Sequence, residues 1–368
     1  MRIHRSSEYR GMNKIQLEDF RRIGEADFID WERFRDITIL ITGATGLIGS
    51  NLVYALGYNS REKDLNMKLV LPVRNVTLAK ELFGDYPVEI FHYKLGDVLD
   101  LDVPVDYMIH LASPTSSKFF MEKPVDTILA NLEGNRALLD WAAAHPVKKY
   151  VELSTMEVYG FPAKGHKVKE NELGAFETMN ARNSYPIAKQ AAEALCNGYY
   201  VQYGVPAVIL RATQTFGPGV KYEDGRVFAE FMRCAVEKRD IVLKSDGSTE
   251  RCYLYTADAV SAILVAMLKG EPGQAYTVAN KDTYCSIREM AELVAEEIAG
   301  SRIKVVFDLA EDVEKLGYAK TLYMDLNTGK MEALGWKPSC DLRQMYERMI
   351  ESMQENDKER AISHHPSQ

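Results

Sequence analysis

Tyrosine and lysine stand four residues apart in Asn183-Ser184-Tyr185-Pro186-Ile187-Ala188-Lys189, a spacing that puts both side chains on one face of a helix. An ammonium close to a phenol stabilises the phenolate, which turns the tyrosine into a base able to take a proton from a carbinol as hydride leaves. Proline directly after the tyrosine suits a first helical turn, where its missing amide costs no hydrogen bond. The spacing alone occurs on many solvated helices. Its weight comes from a second group some 30 residues upstream, Ser154-Thr155-Met156-Glu157, which follows a strand-like run at the edge where α/β folds bind ligands. Thr155 suits a hydrogen bond to the reacting oxygen, and Glu157 is a candidate second acid/base or orienting carboxylate. The competing roles are a turn cap for Thr155 and a solvated surface carboxylate for Glu157.

A third cluster is Ile41-Thr42-Gly43-Ala44-Thr45-Gly46-Leu47-Ile48-Gly49-Ser50. It joins an aliphatic run to a helix-length run, the context that a dinucleotide-binding turn requires. Gly43 permits the tight turn, Gly46 lets the backbone approach a pyrophosphate, and Gly49 lets the helix pack closely on the sheet. Gly43, Thr45, Gly46, Leu47, Ile48 and Gly49 are therefore candidate cofactor contacts. An acid normally ends the second strand of NAD enzymes, about 20 residues on. Here that run ends Leu71-Pro72-Val73-Arg74-Asn75. Arg74 could pair with a 2′-phosphate, which leans toward NADP; a solvated or adenine-stacking arginine is the alternative.

These groups need a scaffold, and the sequence supplies one. Short β-branched or aliphatic runs at Thr38–Thr42, Lys68–Val73, Val88–His92, Tyr107–Leu111, Lys149–Ser154 and Val208–Arg211 alternate with helix-length segments at Leu47–Leu56, Pro124–Ala144 and Ser184–Tyr203. Such alternation predicts an α/β fold with a doubly wound parallel sheet. After Gly217 the rhythm loosens into helices near Arg226–Glu237, Ala257–Lys269 and Ser286–Ala299 with brief strands at Ile241–Leu243 and Ala275–Val278, which predicts a smaller α/β lobe. The expected organisation is a helical extension over 1–36, a dinucleotide-binding domain over 37–216, a mainly substrate-binding lobe over 217–353 and a frayed polar tail over 354–368. The extension, with Ile15, Leu17, Phe20 and Ile23 as its apolar positions, is expected to pack on the domain or on a partner subunit.

Composition narrows the class. The 368 residues carry a net charge of −8, which leaves no global field to attract nucleic acid. Five cysteines, Cys196, Cys234, Cys252, Cys285 and Cys340, are scattered without zinc or redox spacing and read as reduced thiols. No run approaches the roughly 18 apolar residues of a membrane span, and the polar start lacks a secretory core. A cytoplasmic enzyme with no metal site is expected.

Read in order, Thr42–Gly49, Gly96-Asp97-Val98, His110-Leu111-Ala112-Ser113-Pro114, Asn131-Leu132-Glu133-Gly134, Ser154–Gly160 and Tyr185–Lys189 resemble the extended short-chain dehydrogenases/reductases of the NAD-dependent epimerase/dehydratase family, which act on nucleotide sugars. Asp224-Gly225-Arg226-Val227 and Leu334-Gly335-Trp336-Lys337-Pro338 bring the resemblance nearest to the UDP-glucuronate decarboxylases. It spans about residues 38–350. The resemblance implies catalytic roles for Thr155, Glu157, Tyr185 and Lys189. It also implies cofactor contacts from Asp97, Val98, Leu111, Ala112 and Ser113, substrate contacts from Ser113, Gln214, Arg226 and Arg251, tightly held NAD or NADP, and a homodimer through Pro124–Ala144 and Ser184–Tyr203. Two arginines suit a diphosphate because each can fork two N–H donors onto its oxygens.

The pattern departs from those decarboxylases at four places. Pro186-Ile187-Ala188 replaces Asp-Glu-Gly between tyrosine and lysine, Gln214 stands for asparagine, Gly219 for arginine and Arg74 for an acid. Met156 occupies the position where the related 4,6-dehydratases carry an aspartate, which disfavours a conventional dehydratase. The expected function is thus transient oxidation of a nucleotide-linked sugar at C4, decarboxylase-like or epimerase-like. The alternatives are a net NADP(H)-dependent reductase or dehydrogenase of a nucleotide-linked keto-sugar or alditol, and a cofactor-bound protein without turnover.

Overall fold

The computed structural model describes residues 12–84, 86–309 and 321–363, with side chains as far as Asn356. Residues 1–11 of the expected extension and 364–368 of the expected tail lie outside the described residues.

The chain opens with helix α1 (Lys14–Glu25), started by a capping box in which Asn13 and Gln16 each accept the other's backbone amide. The first half then alternates strand and helix: β1 (Thr38–Thr42), α2 (Leu47–Glu62), β2 (Lys68–Val73), α3 (Val76–Phe83), β3 (Val88–His92), β4 (Tyr107–His110), α4 (Ser117–Glu122), α5 (Pro124–Ala144) and β5 (Lys149–Thr155). A short β6 (Lys167–Val168) precedes α6 (Ser184–Tyr203), β7 (Ala207–Ala212) and β8 (Gln214–Phe216). The remainder holds α7 (Val227–Glu237), β9 (Ile241–Leu243), β10 (Glu250–Tyr255), α8 (Thr256–Lys269), β11 (Gln274–Val278), β12 (Asn280–Ser286) and α9 (Ile287–Leu293). It ends with β13 (Val305–Phe307), β14 (Tyr323–Leu326), α10 (Gly329–Ala333) and α11 (Leu342–Ser363).

Seven strands form one sheet in the order β3-β2-β1-β4-β5-β7-β11, and every pairing in it is parallel. Its centre is buried on both faces, as Ile39, Leu40 and Ile41 show with no exposed area. That explains why these strands are continuous apolar runs rather than alternating ones. The order reverses between β1 and β4, whose last residues Thr42 and His110 are register partners. Such a reversal opens a crevice at the carboxyl ends of the strands.

A second sheet runs β12-β10-β14-β6, with β8 added beside β10. It draws on both parts of the chain, since β6 and β8 precede Gly217 while β11, well beyond it, completes the large sheet. The expected division at 216/217 therefore does not separate the two sheets. The reason is local: β7 and β8 are divided only by Thr213, so one extended segment leaves the first sheet and enters the second.

α1 packs against α2, α8 and α11. Its Asp19, almost fully buried, accepts from Arg348 at 2.9 Å, from Arg22 at 2.7 Å and from the Tyr255 hydroxyl at 2.6 Å. A buried carboxylate must be compensated in this way. The far end of the chain also departs from expectation, because α11 runs on to Ser363 through the first part of the polar stretch. All five cysteines are free, and no described helix is long and apolar enough to cross a membrane.

Candidate active site

The glycine turn lies between β1 and α2. Gly43 has φ of +71°, and a Cβ there would sit 2.7 Å from the Ala112 amide nitrogen. A Cβ on Gly49 would meet the Gly43 carbonyl oxygen at 2.1 Å. Only glycine fits at these two positions. Gly46 caps α2 without any side-chain hydrogen bond, so the first-turn amides point at the crevice with no protein acceptor supplied by the cap, the arrangement that binds a pyrophosphate. Thr45, Leu47 and Ile48 line the same turn, and Leu111, Ala112 and Ser113 follow the end of β4 beside it. The residues present thus fit a dinucleotide.

The adenosine end is more open. Arg74 is exposed where β2 ends. Asp97 and Val98 are exposed in the turn after β3, Val98 at 89%. The Ser113 hydroxyl donates to Asn131 Oδ1 of α5 at 3.0 Å.

Tyr185 and Lys189 occupy the first turns of α6, as their spacing predicts, and both are buried. Thr155, the last residue of β5, hydrogen-bonds the Tyr185 hydroxyl, and its Oγ1 accepts the Glu157 amide at 3.2 Å. It therefore serves both as turn cap and as phenol partner. Burial pushes the Tyr185 phenol above its ordinary value, against which Lys189 and the Thr155 hydrogen bond pull down while Glu157 and Glu152 push up. Lys189 remains charged although burial opposes it, because the Glu152 carboxylate and Tyr185 favour the ammonium.

Glu157 is not a free acid: its Oε2 accepts from Arg182 Nη1 at 3.0 Å. Arg182, in the turn leading into α6, was not foreseen, and neither was Phe120 of α4, over whose ring the Arg182 guanidinium lies at 5.5 Å. Arg182 sits three residues before Tyr185 on a helix-entry turn, and that spacing was the available signal. Met156 is buried, its Sδ 3.0 Å from Thr213 Oγ1, and can give no proton to a leaving hydroxyl.

The expected substrate contacts divide. Gln214 on β8 and Arg251 on β10 stand on adjacent parallel strands, and Gln214 Oε1 and Arg251 Nε are buried without a hydrogen-bond partner. Arg226 differs, because its fork is taken by Asp224, with Nε to Oδ1 at 2.9 Å and Nη2 to Oδ2 at 2.6 Å. As a diphosphate clamp it would first have to release that carboxylate. The core below is tied by Arg211, whose guanidinium makes 2.6 Å contact with Glu193 of α6. No group of three or more His, Cys, Asp or Glu side chains among the described residues could hold a metal.

A parallel sheet that presents a glycine turn at its point of reversal, with a Thr-Tyr-Lys line on the neighbouring strand and helix, defines an enzyme of the extended short-chain dehydrogenase type that uses NAD or NADP. Residues 39–279 match the family model described as NAD dependent epimerase/dehydratase family, and the chain belongs to that family. It is 33% identical over 289 residues to UDP-N-acetyl-alpha-D-glucosaminuronate decarboxylase of Bacillus cytotoxicus, covering 76% of this chain and 85% of that one. It is 30% identical over 314 residues to UDP-glucuronic acid decarboxylase 3 of Arabidopsis thaliana, covering 84% and 86%. Among solved structures, UDP-glucose 4-epimerase of Thermotoga maritima superposes with a TM-score of 0.72 at 22% identity, over 87% of this chain and 99% of that one. UDP-glucuronic acid 4-epimerase of Bacillus cereus does so with 0.70 at 22% identity, over 87% and 100%.

Proposed function

We propose that this enzyme oxidises a nucleotide-linked sugar transiently at C4, and that a nucleotide-linked uronate which loses its carboxylate is the leading substrate. The observation that carries the reading is that Thr155, Tyr185 and Lys189 come together at the carboxyl end of β5, where the ammonium and the threonine both favour the phenolate. Binding alone needs no phenol placed between a hydroxyl and an ammonium.

Gly43, Gly46, Gly49, Leu111, Ala112 and Ser113 hold the dinucleotide in this reading. Bound there, it would supply an acceptor and donor for the C4 hydride and, in its oxidised form, a positive charge that favours the phenolate. Tyr185 takes the proton of the C4 hydroxyl, with Thr155 donating to the same oxygen. The ketone so formed lies next to the carbon that bears the carboxylate, so the pair of electrons released with CO2 is accommodated as an enolate. A proton taken up from solvent at C5 restores the ketone, and Tyr185 gives its own proton back to the C4 oxygen as that ketone is reduced again. Gln214 and Arg251 hold the sugar nucleotide with the buried polar atoms that lack protein partners, and the Arg182–Glu157 pair borders the sugar.

Incubation of the purified protein with UDP-glucuronate and other nucleotide sugars, with and without added NADPH, tests this by mass spectrometry of the products. CO2 release without added cofactor is the expected result. Stoichiometric NADPH consumption would instead support a net reductase of a keto-sugar nucleotide, the second reading that Arg74 favours. No turnover of any candidate would leave a binding protein.

Assembly follows the same family pattern. α5 leaves Val125 64% and Leu129 42% exposed one helical turn apart, and an apolar stripe of this kind is covered in a dimer built through α5 and α6. Light scattering that gave a monomer would remove this part.

A further inference from the structure

Glu152 lies in the middle of β5, where a parallel sheet favours an apolar side chain, and its carboxylate is fully buried. Its Oε1 accepts from Lys189 Nζ at 2.8 Å. Lys189 commits a second donor to the Leu153 carbonyl, also at 2.8 Å. One of the three ammonium hydrogens is then left for the Tyr185 side of the site. Glu152 Oε2 has no hydrogen bond and faces the equally unpartnered Nε2 of His110 across 4.0 Å. The other nitrogen of that ring, Nδ1, is bound to Thr42 Oγ1 at 2.6 Å, and burial lowers the imidazole to about 4. His110 is thus neutral, and Lys189 is the cation that compensates Glu152.

We propose that Glu152 is a positioning residue for the proton-transfer step, one that pins the Lys189 ammonium and offsets part of its charge at Tyr185. The inference rests on Tyr185 being the base of the proposed reaction. The charges that act on Tyr185 are Lys189 from its own helix, Glu152 from β5, and Glu157 from the turn after β5. Arg182 pairs with Glu157, and Phe120, which covers the Tyr185 ring from α4, carries no charge. Burial holds the proton on the phenol, Lys189 is the strongest charge drawing it away, and Glu157 and Glu152 oppose that pull. The phenolate then forms when a cationic ligand enters, and oxidation is coupled to a loaded site.

The test reads Tyr185 directly. The full-length protein is labelled with [ζ-13C]tyrosine, the Tyr185 resonance is identified by its loss in Tyr185→Phe, and its titration midpoint is followed by NMR. Glu152→Gln keeps an acceptor for Lys189 but removes the charge, and it should lower the midpoint by about 1 pH unit, a roughly tenfold larger phenolate fraction at a given pH below it. An unchanged midpoint would overturn the proposal. Should that variant fold poorly, Glu152→Leu with Lys189→Met removes both charges and leaves an apolar pair, which buried ion pairs tolerate. Its midpoint should rise less than that of Lys189→Met alone, because the opposing effect of Glu152 leaves with the ammonium; an equal rise in the two variants would mean that Lys189 acts uncompensated and would equally overturn it. Since no substrate is involved, a protein that shows the shift but turns over no nucleotide sugar would fail the proposed function and not this one.

Discussion

Tyr185 and Phe120 stack face to face, with ring centroids 4.3 Å apart and planes inclined by only 3°. The phenol is therefore held by packing from α4 as well as by hydrogen bonding from β5. α4 spans only six residues, yet it packs against the phenol on which the proposed proton transfer depends.

Phe120→Ala should accordingly impair both stability and turnover. Phe120 is 1% exposed, and truncating a buried phenylalanine costs about 3–5 kcal/mol. Phe120→Leu keeps most of the volume and should fold, but a tyrosine released from its stack should turn over about tenfold more slowly, a barrier increase of about 1.4 kcal/mol. Urea melts and initial rates on the two variants measure the two effects separately.

Gly49→Ala should abolish dinucleotide binding, because the new methyl would lie 2.1 Å from the Gly43 carbonyl oxygen. The turn must open to relieve that contact, and the α2 amides then lose their alignment. Calorimetric titration should show a loss of at least about 100-fold, near 2.7 kcal/mol, and retained affinity would remove the glycine turn from the cofactor site.

Arg74 is exposed at the end of β2 and provides a clean swap of cofactor preference. Arg74→Asp should weaken NADP and strengthen NAD, a change in their affinity ratio of about 100-fold, since it removes a charge-assisted phosphate contact and adds an acceptor for ribose hydroxyls. An unchanged ratio would show that Arg74 does not meet a 2′-phosphate.

Asp258, the buried carboxylate on α8, accepts the Ser339 amide at 2.9 Å. Burial raises its carboxyl from 3.8 to about 6. The native state then holds this proton more tightly than the unfolded chain, so the contribution is fully present below about pH 4 and is lost as the pH rises through about 6. Asp258→Asn cannot titrate. Relative to the parent, it should gain roughly 2 kcal/mol between pH 4 and 7, measured as the difference between denaturant melts at the two ends of that range.

The large sheet was legible because its strands are buried on both faces and read as unbroken apolar runs: β1, β2, β3 and β9 fall where the residues place them. α5 and α6 do too, each bounded by a proline in its first turns or a left-handed glycine, Gly204, at its end. The second sheet was harder to see. β6 has two residues and β8 three, too few to show a period, and β10, Glu250–Tyr255, carries charged and aromatic residues together. In the candidate site, spacing put Tyr185 and Lys189 on one face of a helix and Thr155 at a strand end, where the structure has them, whereas Glu152 was hidden because a charge in a buried strand has no period of its own. Arg226 illustrates the opposite failure, since a partner two residues away, Asp224, already occupies the fork that made it attractive.

The two ends of the described chain meet. Asn13 Nδ2 donates to Ser352 Oγ at 2.7 Å, and Arg348 closes on Asp19 at 2.9 Å. During synthesis α1 emerges before α11, so the Asp19 carboxylate has Arg22 of its own helix from the start and gains Arg348 only after the intervening residues have been made. Closing a ring of more than 300 residues adds little entropy cost beyond that of a moderate loop, because the cost grows only with the logarithm of length. It does, however, make the docking of α11 a late event. A chain that stops before α11 lacks the guanidinium of Arg348 and leaves Asp19 with Arg22 as its one cationic partner among the described residues.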